Sequence, residues 1–535
     1  MNTAKRTINN TVFNTVGWGL PIVVNLLALP YIVRQLGEEA FGVFALILSV
    51  VGYFSFLDLG LNAASVKYIS KYQAQGKIDR VSQVIGSALL VYVALGTLGA
   101  GAVWVATEWL VIDVLKISQE LVDVSKVAFR IGAFGFVANM VSGAFSVVPQ
   151  ALQRFDVSNL ATVILTVLST LSAVALLAMG GGLVQVVIAR FVISMLSVLV
   201  FLLIARRLIP SLTLHVDCSW AMLKELLGFG GLSAVNRVAA QAIFHLDRLL
   251  LGWLMGPAAV TYYVIPANLT NRMHGFVSSL TCVLFPLSSG LRARADDGKL
   301  RKMYVKTAKY MAVLATVIYL PIVFLSSSIL RLWMGRDFAD QSGVALSVLA
   351  LSSYILSFNA VPYHIVNGLG RPDVNAVSAV AGGFLNVGLC LVLIPRLGLL
   401  GAAIANLGSM IRIPFYVLFV NRRVLRVSDT LASVDTYFKP LLIAGGIFVA
   451  FLLVGLSPKT VAGLLGVLIA LVSVYVLLII VSGVLDTEDI DLFLQYIGAF
   501  VPLVGRRLAG LENSQEPDGG GSHSVTRDER AERTR

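Results

Sequence analysis

Long apolar stretches separated by short polar segments constrain this chain more than any other feature. Crossing the hydrocarbon of a bilayer takes about 20 mostly apolar residues of helix. Hydrophobic residues make up 57% of the chain and charged residues 13%, whereas soluble domains carry about 45–50% and about 25%. The sequence therefore predicts an all-α integral membrane protein with 14 transmembrane helices, at residues 11–34, 40–66, 83–106, 125–148, 158–180, 184–205, 227–254, 258–289, 310–330, 343–366, 375–395, 398–420, 440–457 and 460–484.

The distribution of basic residues predicts the orientation of these spans. If the N-terminus lies in the cytoplasm, 28 of the 41 Lys and Arg residues fall on the cytoplasmic side, 7 fall outside and 6 lie within spans. Short cytoplasmic loops of membrane proteins carry such an excess. The net charge of +12 thus indicates orientation in a membrane and not a nucleic-acid partner. We expect a multi-pass protein with both termini in the cytoplasm.

The two halves of the chain repeat one another. Residues 36–44 resemble 255–263, residues 151–157 resemble 368–374, and Arg206-Arg207 resembles Arg422-Arg423, at offsets of 219, 217 and 216. Each repeat holds six spans, so both halves enter the membrane in the same orientation, related by a pseudo-two-fold axis along the membrane normal. We expect six-helix bundles at 1–207 and 208–424, two extra helices within 425–485, and a cytoplasmic amphipathic segment with a disordered tail at 486–535.

Charged residues inside the spans are mostly arginines. The six are Arg130, Arg190, Arg237, Arg248, Arg272 and Arg412, against two acids, Asp58 and Asp247. A charge at the centre of a bilayer costs roughly 2.5–3.5 kcal/mol on insertion scales, so such residues usually face a cavity or a partner. The membrane interior of this protein is therefore expected to be cationic.

Helical spacing places polar residues of four spans on shared faces. These are Arg237, Gln241, His245 and Arg248 on span 7, Asn268 and Arg272 on span 8, Asn14 and Asn25 on span 1, and Asp58 on span 2. Spans 1, 2, 7 and 8 hold equivalent places in the two repeats, which predicts a wet cavity between the halves. For the asparagines, helix-packing contacts stay open as an alternative to lining a cavity. For Asp58, Asp247 and His245, a structural role and ion coupling both stay open.

Sequence motifs for catalysis or cofactor binding are absent. The chain contains no G-x-x-x-x-G-K-[ST] or H-E-x-x-H motif, and its three cysteines, Cys218, Cys282 and Cys390, are far apart. Such motifs bind nucleotide phosphates and zinc. We therefore expect no cofactor, no metal site and no enzymatic activity.

Several short motifs carry a family resemblance. They are Leu29-Pro30-Tyr31, Leu36-Gly37 followed by Ala40-Phe41-Gly42, Asp58-Leu59-Gly60-Leu61, and residues 247–252 (DRLLLG). With the repeat and the span count, the chain from about residue 8 to 484 resembles the bacterial polysaccharide flippases of the multidrug/oligosaccharidyl-lipid/polysaccharide exporter superfamily.

The resemblance implies a function and a location. Such proteins move undecaprenyl-pyrophosphate-linked oligosaccharides from the cytoplasmic to the outer leaflet of the bacterial inner membrane, by alternating access through a cationic central cavity. It implies that Arg237, Arg248 and Arg272 meet the pyrophosphate, and that the partners are the lipid-linked oligosaccharide and membrane lipid. A polysaccharide polymerase or export machinery stays open as a further partner.

Three other functions compete with this interpretation. A multidrug or cation antiporter of the same superfamily would need an acidic cavity, which the excess of arginine argues against. A membrane glycosyltransferase, glycan polymerase or ligase would need a large outer loop with catalytic residues, and all the predicted outer loops are short. A non-transporting scaffold would not need charged residues deep in several helices.

Overall fold

The structure is a computed structural model that describes residues 3–54, 58, 60–212, 222–226, 228, 246–427, 430–455 and 458–485, with side chains in α1 described from residue 19 onward. Residues 1–472 form one compact unit. In the second unit, 473–535, the residues described are 473–485, and they are helical as far as Val481.

The first half of the chain is a series of helices joined by tight turns. They are α1 (Thr3–Leu36), α2 (Glu38–Tyr53), α3 (Leu61–Ala74), α4 (Ile78–Trp109), α5 (Gln119–Ala151), α6 (Phe155–Ala178) and α7 (Leu183–Leu208). A single π-helical turn, Leu110–Val114, extends α4.

The second half continues in the same way from the helical residues 246–255, here α8. The remaining helices are α9 (Pro257–Thr281), α10 (Leu284–Ala293), α11 (Asp297–Trp333), α12 (Arg336–Ser357), α13 (Ala360–Gly368), α14 (Pro372–Leu397), α15 (Leu399–Ser409), α16 (Arg412–Phe419), α17 (Thr430–Val454) and α18 (Val461–Val481). Pro257 and Pro372 occupy the first turns of α9 and α14, where a missing backbone N–H costs nothing.

Eleven stretches of helix in the described residues are long and apolar enough to cross a membrane. Their large exposed apolar side chains fit a lipid environment, where burial against protein is not needed. Of the other three predicted spans, residues 440–457 overlap α17 and residues 227–254 lie mostly outside the described residues. The count of 14 therefore stays a prediction.

The sequence predicts span 2 as one continuous helix over residues 40–66, and the structure differs from this prediction. The structure ends α2 at Tyr53 and begins α3 at Leu61. Gly60, just before α3, has a φ of 74° in the left-handed region, which other residues adopt only at a cost. The chain therefore enters α3 through a turn, and hydropathy alone does not reveal such an interruption.

The turns between helices recur at the offset of the sequence repeat. Residues with positive φ form five pairs, each pair in matching turns of the two halves: Gly37 with Gly256, Gly76 with Ala295, Lys116 with Gly335, Gln153 with Gly370, and Gly180 with Gly398. The separations are 219, 219, 219, 217 and 218 residues, as in the sequence matches. The local backbone conformation thus follows the register of the repeat.

The two halves approach each other closely where α2 packs against α9. A Cβ atom on Gly42 would lie 1.9 Å from the carbonyl oxygen of Pro257, so only glycine fits at this contact. The Thr261 hydroxyl donates a 2.5 Å hydrogen bond to the carbonyl oxygen of Glu38. These contacts join the halves at the end of the unit that carries the turns at Gly37 and Gly256.

Candidate substrate cavity

A cavity of about 630 Å³, here called the central cavity, lies between the halves of the chain. It is bounded by α1 and α6 from the first half and by α9 from the second. Its lining residues are Pro21, Ile22, Asn159, Thr162, Val163, Thr166, Asn268, Asn271, Arg272 and Gly275. None of these described lining residues is acidic, so the cavity is cationic through Arg272.

Arg272 connects the two halves within this region. Its Nη2 donates a 3.2 Å hydrogen bond to Oδ1 of Asn25 in α1. The bond leaves other guanidinium donors available, since arginine carries five N–H groups and no acceptor. Sequence spacing predicted both residues as cavity residues, and the structure brings their side chains into contact.

Arg248 forms a second arginine–amide pair beside the cavity. Its Nη2 donates a 3.0 Å hydrogen bond to Oδ1 of Asn268. Asn268 and Arg272 lie one helical turn apart on α9 and line the same cavity. The structure therefore gathers four of the predicted residues, Asn25, Arg248, Asn268 and Arg272, around the middle of α9.

Asp58 lies at the start of α3, and the structure does not place it among the residues of this cavity. The backbone N–H of Asn62 donates to its Oδ1 at 3.2 Å, and the Tyr92 hydroxyl donates to the same oxygen. The first bond satisfies a free N–H of the first turn of α3, as an N-cap does. These contacts connect Asp58 to α3 and α4.

Asp247 is buried in the second half of the chain, with 5% of its surface exposed. Its Oδ2 accepts a 2.5 Å hydrogen bond from the Tyr263 hydroxyl, and its Oδ1 accepts one from the backbone N–H of Arg248. Asp247 and Arg248 also line a second cavity of about 310 Å³. Of the two predicted coupling acids, Asp247 lines this second cavity.

Four of the predicted site residues have no described side chain. Arg237, Gln241 and His245 lie outside the described residues, and Asn14 lies in the part of α1 that is described without side chains. The predicted stripe on span 7 therefore remains a prediction except for Arg248.

Sequence reasoning missed the contribution of α6. Asn159, Thr162 and Thr166 line the cavity because α6 packs against α1. Their spacing of 3 and 4 residues places them on one helical face, and that polar face in an otherwise apolar span was a usable signal. The repeat pointed to spans 1, 2, 7 and 8, whereas the described lining comes from spans 1, 5 and 8.

The arrangement suits an anionic group more than a cation or a metal ion. Guanidinium groups donate paired hydrogen bonds to phosphate oxygens and keep their charge, and the neighbouring amides and hydroxyls can bind sugar hydroxyls or water. No group of three or more His, Cys, Asp or Glu side chains that could hold a metal ion occurs in the described part of the chain.

Comparison with known proteins gives consistent likenesses. The family model described as polysaccharide biosynthesis protein matches residues 7–292. A protein described as a putative O-antigen transporter of Shigella flexneri is 23% identical over 404 residues, which cover 74% of this chain and 93% of the relative.

Two solved structures share the fold. The lipid II flippase MurJ in an inward closed conformation has a TM-score of 0.68 at 14% identity, covering 88% of this chain and 98% of that one. An inward-facing multidrug resistance MATE family transporter of the MOP superfamily also has a TM-score of 0.68, at 16% identity, covering 78% of this chain and 99% of that one.

Proposed function

This chain belongs to the polysaccharide biosynthesis protein family, and from that premise we propose that it flips undecaprenyl-pyrophosphate-linked oligosaccharides from the cytoplasmic to the outer leaflet of the bacterial inner membrane. The similarity to a putative O-antigen transporter of Shigella flexneri and the fold shared with a lipid II flippase support a glycan attached to a lipid as the substrate class.

The observation that carries the proposal is the Arg272–Asn25 contact at a cavity whose described lining holds no acid. A pyrophosphate head group cannot cross hydrocarbon unaided, because burying a charge without a partner costs several kcal/mol or more. A guanidinium held between the halves supplies that partner. The prenyl tail stays in the lipid, while the pyrophosphate meets Arg272, with Arg248 beside it and Arg237 proposed from the sequence.

The proposed mechanism is alternating access between two six-helix bundles. Residues 1–207 and 208–424 form the bundles, related by a pseudo-two-fold axis, and residues 425–485 add helices 13 and 14 to give 14 spans. Repeated positive-φ turns support this symmetry. Both termini and residues 486–535 lie in the cytoplasm. In this orientation, the contact between Gly42 and Pro257 closes the outer end of the cavity. The substrate therefore enters from the cytoplasmic side.

Drug or cation antiport fits the cavity less well. A cationic substrate needs a carboxylate partner, and the described cavity lining offers an arginine instead. Ion coupling of the flippase remains part of the proposal, with Asp247, Asp58 and His245 as its candidate groups. Asp247 is the strongest of these because it lines a cavity.

Deletion of the gene in its own host tests the proposed function. We expect surface polysaccharide to be lost and lipid-linked oligosaccharide to accumulate in the inner membrane, because synthesis in the cytoplasmic leaflet continues while flipping stops. A plasmid copy should restore export. Loss of polysaccharide without accumulation of the lipid-linked precursor would instead indicate a step of synthesis and contradict the proposal.

A further inference from the structure

One face of α6 carries a ladder of hydroxyl side chains at intervals of four residues, Ser158, Thr162, Thr166 and Thr170. Each threonine hydroxyl donates to the backbone carbonyl oxygen four residues earlier, at 2.9 Å for Thr162, 2.7 Å for Thr166 and 3.1 Å for Thr170. A hydroxyl group has one proton to donate and two lone pairs that accept. Because the helix backbone takes the proton of each threonine, the hydroxyl oxygen can only accept from any further group.

Two of these threonines lie on the wall of the central cavity. Thr162 and Thr166 line it and are exposed, whereas Thr170 is buried and is not among the described lining residues. The wall that α6 contributes therefore presents hydrogen-bond acceptors. A ligand binds to these acceptors through its own hydroxyl or N–H groups, and phosphate oxygens without protons cannot do so.

The wall that α9 contributes has the opposite character. The Arg272 guanidinium carries N–H donors and no acceptor. The amide oxygen of Asn268, one helical turn away, already accepts from Arg248. The central cavity is thus polarised, with donors concentrated on α9 and acceptors on α6.

A polarised cavity fits a ligand that carries acceptors on one part and donors on another. Ionised phosphate groups offer only acceptors, whereas the hydroxyl groups of a sugar can donate. The volume of about 630 Å³ lies within the range of about 300–1,000 Å³ that is usual for small-molecule sites. The cavity therefore suits a phosphate group joined to a sugar better than it suits a phosphate group alone.

On the basis of the proposed function, we infer that Thr162 and Thr166 bind the sugar that is attached to the pyrophosphate. Their hydroxyl oxygens accept hydrogen bonds from donors of this sugar, while Arg272 donates to the pyrophosphate. The head group is therefore oriented with its phosphates toward α9 and its first sugar toward α6. The two threonines are specificity-determining residues, because they stabilise a lipid that carries a sugar and add nothing for one that ends at the pyrophosphate.

Binding of two lipids to the purified full-length protein in detergent tests this inference. The lipids are undecaprenyl pyrophosphate and undecaprenyl-pyrophosphoryl glucose, and each is titrated while the thermal unfolding midpoint is recorded, because a ligand of the folded state raises it. We expect the wild type to bind the glucosyl lipid more tightly. Thr162→Val and Thr166→Val keep the side-chain shape and remove the acceptor. Each should weaken binding of the glucosyl lipid about two- to tenfold, the contribution of one neutral hydrogen bond, and leave binding of the sugar-free lipid as it is.

Matched variants separate the sugar contact from other effects of these substitutions. Thr170→Val removes a hydroxyl of the same ladder outside the cavity, and Arg190→Ala removes an exposed arginine of α7 that is not among the described lining residues. Both should bind the two lipids as the wild type does. Arg272→Ala should weaken both lipids alike, because both carry the pyrophosphate.

The possible failures of the sugar contact and of the proposed function are distinguishable. The sugar contact alone is overturned if Arg272→Ala weakens both lipids while the Thr162 and Thr166 variants bind the glucosyl lipid like the wild type. It is equally overturned if these variants weaken both lipids to the same extent, or if Thr170→Val gives the same selective loss. If the wild type binds neither lipid, or if Arg272→Ala binds both like the wild type, the proposed function fails together with the sugar contact.

Discussion

Arg272 and Asn25 are 247 residues apart in the sequence, and Nη2 of the arginine donates a 3.2 Å hydrogen bond to Oδ1 of the asparagine. The bond links α9 of the second half to α1 of the first at the border of the central cavity. On the proposed function, a bound pyrophosphate would share this guanidinium with Asn25. Substrate binding and contact between the halves would then be coupled at one residue.

Replacing Asn25 by aspartate should separate stability from transport. The carboxylate of Asn25→Asp would accept a charge-assisted hydrogen bond from Arg272, stronger than the amide bond by about 1 kcal/mol. We expect a higher unfolding temperature and reduced glycan export, because the bond holds the halves together and neutralises the arginine. Fluorescence-monitored unfolding and an immunoblot of surface polysaccharide measure the two effects. Export above the wild-type level would contradict this account.

The two acids predicted for ion coupling should respond differently to loss of charge. Asp58→Asn keeps an oxygen acceptor for Tyr92 and Asn62, so we expect nearly wild-type export. Asp58→Ala removes the acceptor and should destabilise the protein by about 1–3 kcal/mol. Asp247→Asn should lower export, because this acid lines a cavity. Wild-type export by Asp247→Asn together with failure of Asp58→Asn would reverse the assignment.

The contact between α2 and α9 predicts a specific cross-link. In a cysteine-free background, Glu38→Cys and Tyr262→Cys should be joined by a short bifunctional maleimide, because the two side chains are hydrogen-bonded to each other and neither is fully buried. We expect the cross-link to block export, which requires the halves to separate there. The control pairs Glu38→Cys with Arg371→Cys, which lies just before α14 on the predicted cytoplasmic side, and should not react. Unimpaired export by the cross-linked protein would rule out separation at this contact.

The repeated turns predict which side of the membrane each one faces. Cysteines introduced at Lys116 and Gly335 should react with a membrane-impermeant maleimide applied to the outer face of the inner membrane in spheroplasts. Cysteines at Gln153 and Ala295 should react only after permeabilisation, because one span separates successive turns. The predicted topology would be contradicted if Lys116 and Gly335 were labelled from different sides, or if Gln153 and Ala295 were.

Helical periodicity was sufficient to predict part of the site. Asn268 and Arg272 are four residues apart, so their shared face follows from the geometry of any helix. The contact between Arg272 and Asn25 also requires that two helices from different halves lie together. The internal repeat was the only sequence feature that indicated this arrangement. The remaining stripe residues of span 7 lie outside the described residues.

Other features depended on packing that sequence patterns do not encode. Thr162 and Thr166 line the cavity because α6 lies against α1, a neighbour relationship that hydropathy does not report. The start of α3 at Leu61 follows from the left-handed backbone conformation of Gly60. The sequence places Arg412 only within a span, whereas the structure shows its guanidinium packed against Gly382, which no spacing rule relates to it.

Flipping in proteoliposomes tests the central claim most directly. The measured quantity is the rate at which a polyprenyl-pyrophosphate oligosaccharide added to one leaflet becomes accessible in the other. Hydrogen bonds to charged groups are worth about 1.5–3 kcal/mol, which corresponds to roughly 10- to 100-fold in rate. We predict a loss of that size for Arg272→Ala, a smaller loss for Arg272→Lys, and none for Arg190→Ala. Equal rates for Arg272→Ala and the wild type would contradict the account.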